Sequence, residues 1–145
     1  MKRPFEKVYT VSRYHDGPRS GVADFDGRPH FYEWLWDDDA DDYGPACALS
    51  PISDKAFQLA LEDWAMWMRW KAAFNEGKAS QRPPLEERPV LPEDESRHKE
   101  IAPLLKQALS ISPALQFRAI GNFRRTPESS LSNIEGPWQV CWEPC

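Results

Sequence analysis

Three kinds of group in this chain could bind an anion and move a proton: an arginine in a glycine-bounded turn, a histidine beside a hairpin signal, and an aspartate among apolar neighbours. Arg19 and Ser20 lie in "DGPRSG" (16–21). Backbone N–H groups of such turns cradle anions, and a guanidinium fork and a hydroxyl would add donors. The stretch lacks the Lys-Ser/Thr of a P-loop, so it does not indicate a nucleotide. A proline turn with Arg19 paired to a surface acid is the simpler account.

His30 follows the Asp26-Gly27 pair, and Asp63 falls inside the apolar face of a helical wheel, near Trp67 and Trp70. A carboxylate placed there needs a partner, because burying it alone is costly. An ion pair with an arginine of another element, or a bond from an indole N–H, is expected. If Arg19, His30 and Asp63 met in one cleft, the chain would read as a small enzyme or sensor. Arg19 would hold an anionic small molecule, and His30 or Asp63 would transfer a proton.

No catalytic set is complete, and no catalytic residue is assigned. Ser20 is outside a Gly-x-Ser-x-Gly elbow. His15 and Asp16 are adjacent, which on a strand places them on opposite faces. The cysteines Cys47, Cys141 and Cys145 form no Cys-x-x-Cys and are odd in number, which suits reduced thiols. Cys47 and Cys141 read as small buried hydrophobes, and Cys145 as exposed. His15, His30 and His98 have no helical i, i+4 spacing. Asp37, Asp39 and Asp41 match the opening of a calcium loop, but Asp42 replaces its turn glycine and Ala48 its closing glutamate. No metal and no cofactor is expected.

The sharper signal is charge beside aromatic surface. Asp37, Asp38, Asp39, Asp41 and Asp42 form an acidic loop flanked by Trp36 and Tyr43. Large amphipathic rings next to concentrated carboxylates suit a basic protein partner. The leading expectation is therefore a non-enzymatic interaction protein, with the enzyme or sensor as the alternative. Net charge of −5 disfavours salt-driven binding to nucleic acid or anionic lipid. Arg118, Arg124 and Arg125, interleaved with Phe117 and Phe123, leave single-stranded nucleic acid as a minor reading.

These groups need elements to hold them. "KVYTVSRY" (7–14), "GVADF" (21–25) and "RPHFYEWLW" (28–36) read as strands, the last two joined by a two-residue turn at Asp26-Gly27. That turn pairs Phe25 with Arg28, Ala23 with His30 and Val22 with Phe31. Ala23, Phe25, His30, Tyr32, Trp34 and Trp36 then share one face, and Val22, Phe31 and Leu35 the other. "ACALS" (46–50) is a short strand. Residues 53–78 form a long Trp-rich helix between an N-cap at Ser53 and a stop at Gly77, with so narrow a polar stripe that burial at the centre of the fold is expected.

Residues 79–95 read as a Pro-rich wrapping linker, and a second helix spans about 94–110, with His98, Ile101, Leu105 and Ala108 on one side. Pro103 should kink that helix or mark its start. "LQFRAIGNF" (115–123) and "PWQVCWE" (137–143) pair as closing strands. The order predicts one α+β domain over 1–145, an antiparallel sheet of N- and C-terminal strands packed on the long helix and the shorter one. With no stretch long and apolar enough to span a bilayer, a cytoplasmic protein is expected.

The run "DGPRSGVADFDGRPH" with the later "LALEDWAMWMRW" resembles small uncharacterised bacterial proteins with such a hairpin and an LEDW-like helix. The likeness implies an intracellular, single-domain bacterial protein and carries no activity or site residue.

Overall fold

The computed structural model describes residues 3–12, 19–79, 90–125 and 138–144. They fall into two compact units, residues 1–53 with 109–145, and residues 54–108. The predicted linker residues 80–89, together with His15, Asp16 and Cys145, lie outside the described residues.

The first unit contains β1 (Glu6–Ser12), β2 (Ser20–Phe25), β3 (Arg28–Asp37), β4 (Asp42–Pro51), β5 (Phe117–Arg125) and β6 (Trp138–Pro144). Each strand pairs antiparallel with the next, and β1 pairs with β6 through Glu6↔Val140 and Lys7↔Gln139, so the sheet closes into a barrel. This corrects the expected architecture. The sheet is not an open layer packed on the Trp-rich helix, because its aromatic face is covered by the strands opposite. Closure joins residues far apart in sequence, and neither partner carries a local sign of it.

Asp26 and Gly27 have φ of 53° and 77°, the left-handed geometry of a tight hairpin turn. They set the register anticipated from sequence, with Ala23↔His30 and Phe25↔Arg28. Glu6 supports the turn by accepting bonds from the N–H groups of Asp26 (3.1 Å) and Gly27 (2.7 Å).

Inside the barrel, rings meet in tiers. Phe25, His30 and Phe117 form one, with His30 and Phe117 centred 5.6 Å apart. Tyr32 and Trp142 follow, at 6.1 Å, and both are fully buried. Phe123 lies against both and against Trp34. Gly121 leaves the space that these rings use, since a Cβ there would come within 2.9 Å of Trp142. The Trp142 indole N–H donates to the Asp24 carbonyl at 2.8 Å, fastening β6 to β2.

In the second unit, α1 (Asp54–Asn75) and α2 (Glu95–Ala108) are joined by a 3-10 turn at Pro92–Asp94 on the α2 side. Gly77, at φ 76°, ends α1 in a Schellman motif, with bonds from Gly77 N–H to the Phe74 carbonyl and from Lys78 N–H to the Ala73 carbonyl. Trp67, Trp70 and Phe74 stack in sequence. Only Ala56, Ala60, Met66, Trp67 and Trp70 of α1 are buried, and Met68 and Phe74 are exposed. The narrow polar stripe therefore overstated this helix's burial. Pro103 lies inside α2 and does not start it, because the helix begins eight residues earlier at Glu95. Ile101 and Leu105 form its buried side.

Candidate functional site

A six-stranded meander places Ser12↔Ser20, Asp37↔Asp42 and Arg125↔Trp138, the terminal pairs of three ladders, at one end of the barrel. The Asp26-Gly27 turn lies at the other. The β3–β4 ribbon runs out to Asp37↔Asp42 at the first end, and its tip carries the acidic loop. β4 begins at Asp42, four residues before the strand expected from "ACALS", because Gly44 and Pro45 are absorbed where the register shifts between Trp34 and Trp36. Such an irregularity accommodates residues that a regular ladder rejects.

At the tip, Asp37 and Asp42 face each other in register. Like charges directly opposite destabilise a ribbon. Local bonds offset this: Asp37 Oδ1 accepts from the N–H of Asp39 (3.0 Å) and of Ala40 (3.4 Å), and Asp42 Oδ1 accepts from the Tyr43 N–H at 2.7 Å. Asp41 adopts φ 52°, a left-handed turn position. Asp37, Asp38, Asp39, Asp41 and Asp42 are all exposed.

Behind them stand the two expected aromatics. Trp36 and Tyr43 are cross-strand partners, their rings 5.2 Å apart and nearly perpendicular at 86°. Trp36 is 52% exposed, although Tyr32 on the same strand face is fully buried. The same alternation that puts Tyr32 in the core thus delivers Trp36 to solvent once the ribbon leaves the barrel. Arg19 joins this group. Its guanidinium carbon sits 3.9 Å from the centre of the Tyr43 ring, and its carbonyl accepts from the Trp34 N–H at 2.8 Å. Ser20 pairs with Glu33.

Arg19 and His30 are not brought together. Arg19 borders Trp34, four residues along β3 from His30, about 13 Å. His30 is set among Phe25 and Phe117, with Nδ1 2.8 Å from the Arg28 carbonyl. Asp63 belongs to the helical unit, where Oδ1 lies 3.6 Å from His98 Nε2. Beside it, Arg97 grips Glu62 at 2.6 and 2.8 Å, and this donation holds the Glu62 carboxyl below its ordinary range. Arg69 grips Asp94 in the same two-pronged way.

Sequence reasoning missed a second feature of the acidic end. The β4–β5 ladder stops at Ala46↔Ile120, whereas β3–β4 continues to Asp37↔Asp42 and β5–β6 to Arg125↔Trp138. Between the two ribbons the sheet is therefore split. Pro45, which has no N–H to give a ladder, was the available signal. Beyond the split, Arg124 stacks 3.6 Å over Phe5 and donates to Gln139 at 2.6 Å, and Arg125 lies over Trp138.

Among the described residues, no group of three or more His, Cys, Asp or Glu side chains is placed to hold a metal ion. No described helix is long and apolar enough to cross a membrane. No family model, curated protein or solved structure matches the chain.

Proposed function

We propose that this protein is a binding module that captures a basic protein partner at the β3–β4 tip. The observation that carries the reading is Trp36, 52% exposed and braced edge-on by Tyr43, beside the in-register pair Asp37↔Asp42. An isolated acidic loop would be adequately explained as a solvated turn. A large ring held in the open by its cross-strand neighbour adds apolar contact area to the charge, as binding surfaces require.

Arg19 fits the same site as a brace. Stacked on Tyr43, it fixes one face of the pair and leaves Trp36 to the partner. The carboxylates would steer a cationic segment and hold its register, and Trp36 would supply the desolvated contact. Titration with a lysine-rich peptide at low salt tests the reading. Replacing Asp37, Asp38, Asp39, Asp41 and Asp42 with asparagine should weaken binding about tenfold or more, and Trp36→Ala should weaken it comparably. Unchanged affinity in the five-asparagine variant would refute the proposal.

A further inference from the structure

The split between the ribbons adds a backbone component to this site. Among the described residues, β5 from Gly121 to Arg124 has a ladder with β6 on one side and none on the other, where the pairing with β4 ends at Ala46↔Ile120. A strand edge without a ladder partner presents a row of donors and acceptors that can pair with another extended chain. Across the gap, the β4 stretch Asp42–Pro45 is poorly suited to pairing: Pro45 has no N–H, and the Tyr43 N–H is held by Asp42 Oδ1. The two walls differ in kind. β5 offers backbone groups, and the β4 side offers the carboxylates and rings of the tip.

We propose that the partner's basic segment enters this split as an added strand, pairing with the β5 edge at Gly121–Arg124 while its cationic side chains meet the tip carboxylates. The inference rests on the reading of the tip as a site for a basic partner. Charge complementarity selects the occupant: Asp37, Asp38, Asp39, Asp41 and Asp42 favour a cationic strand, while the guanidiniums on the β5 side are turned onto rings, Arg124 over Phe5 with a bond to Gln139 and Arg125 over Trp138. Strand addition also accounts for how affinity and register are divided. Main-chain bonds hold the segment, and alternate side chains fall on the tip.

The test uses the full chain and an alternating lysine–threonine peptide of roughly six residues, the commonest strand length. An added strand bonds to β5 through alternate amides only. Methylating one alternate set of peptide nitrogens should therefore weaken binding about tenfold or more, and methylating the other set should leave it within about twofold. Amide signals of Gly121–Arg124 should shift on binding and gain protection from exchange. A peptide with glutamate in place of lysine should not bind.

If both methylated peptides bind like the parent while the asparagine variant still loses affinity, strand addition is wrong and the charged tip alone is the site. If the parent peptide fails to bind at low salt, or the glutamate peptide binds equally, both proposals fall.

Discussion

The guanidinium of Arg19 stacks on the ring of Tyr43, 3.9 Å from its centre, and Tyr43 in turn meets Trp36 edge to face. An arginine one residue before β2 thus stiffens a ribbon formed by β3 and β4. A double-mutant cycle with Arg19→Ala and Tyr43→Leu should return a coupling of about 0.5–1 kcal/mol in chemical denaturation. Arg19→Lys should keep only part of it, because the ammonium lacks a planar face. Additive single effects would show that the stack contributes nothing.

Packing around Gly121 gives a second expectation. A Cβ there would stand 2.7 Å from the Phe123 ring, 2.9 Å from Trp142 and 3.4 Å from Cys47 Sγ. Gly121→Ala should cost about 1–3 kcal/mol, the usual penalty for overfilling a packed core. Gly21→Ala should cost more. Its Cβ would fall 2.1 Å from the Thr10 carbonyl oxygen, and a backbone atom cannot swing aside as a ring can. Thermal melts of the two variants rank them.

Tyr9 and Asp24 predict behaviour in base. The Tyr9 hydroxyl donates to Asp24 Oδ2 at 2.9 Å, and burial, reinforced by that bond, pushes the phenol up to about 12. A folded value above the unfolded value of 10.0 means that the native state keeps its proton longer. Stability from this group is complete below about pH 10 and is lost as pH rises through about 12. Tyr9→Phe should flatten that decline. It should also cost about 1–3 kcal/mol at neutral pH, because Asp24 Oδ1 is already buried with no hydrogen-bond partner among the described residues and Oδ2 would join it. Urea midpoints measured across this range check both.

The helical unit should respond at the opposite extreme. Arg97 lowers the Glu62 carboxyl, so the pair's contribution is present above the unfolded Glu value of 4.5 and fades as pH falls through the lower folded value. Glu62→Gln should remove that part of the acid transition, followed by helical circular dichroism. An unchanged acid limb would show that both side chains are too well solvated for the contact to matter.

Asp41, at φ 52°, tests the tip's backbone independently of its charge. Asp41→Gly should be neutral or stabilising by up to about 1 kcal/mol, and Asp41→Val should be clearly destabilising. Denaturation midpoints distinguish the two.

Local features of the fold were legible in the sequence where a residue type leaves little choice. Asp26-Gly27 set the hairpin register, Gly77 ended α1, and the closing strands at 115–123 and 137–143 pair with each other. Closure was not legible, because nothing in "FEKV" announces that Glu6 and Lys7 will pair with Val140 and Gln139. The same gap produced the error over the long helix. With no sign that the sheet covers its own aromatic face, the Trp-rich segment looked like the required cover. At the site, Trp36, Tyr43 and the aspartates could be grouped by adjacency, and Arg19 could be singled out. Its stack on Tyr43 needed the fold, as did the two-pronged pair of Arg97 with Glu62 beside Asp63.

Pairing of β1 with β6 has a consequence for synthesis. A ribosome makes the strand holding Glu6 first and the strand holding Val140 more than a hundred residues later, after the whole helical unit. Until then, the tier-forming rings of β2 and β3 lack Phe117, Phe123 and Trp142. The nascent chain must hold that aromatic surface through most of its translation, when intermolecular capture is the main hazard for unfinished sheets. Truncation before β6 should therefore yield aggregates, and the rate of barrel formation should be limited by the arrival of its last strand.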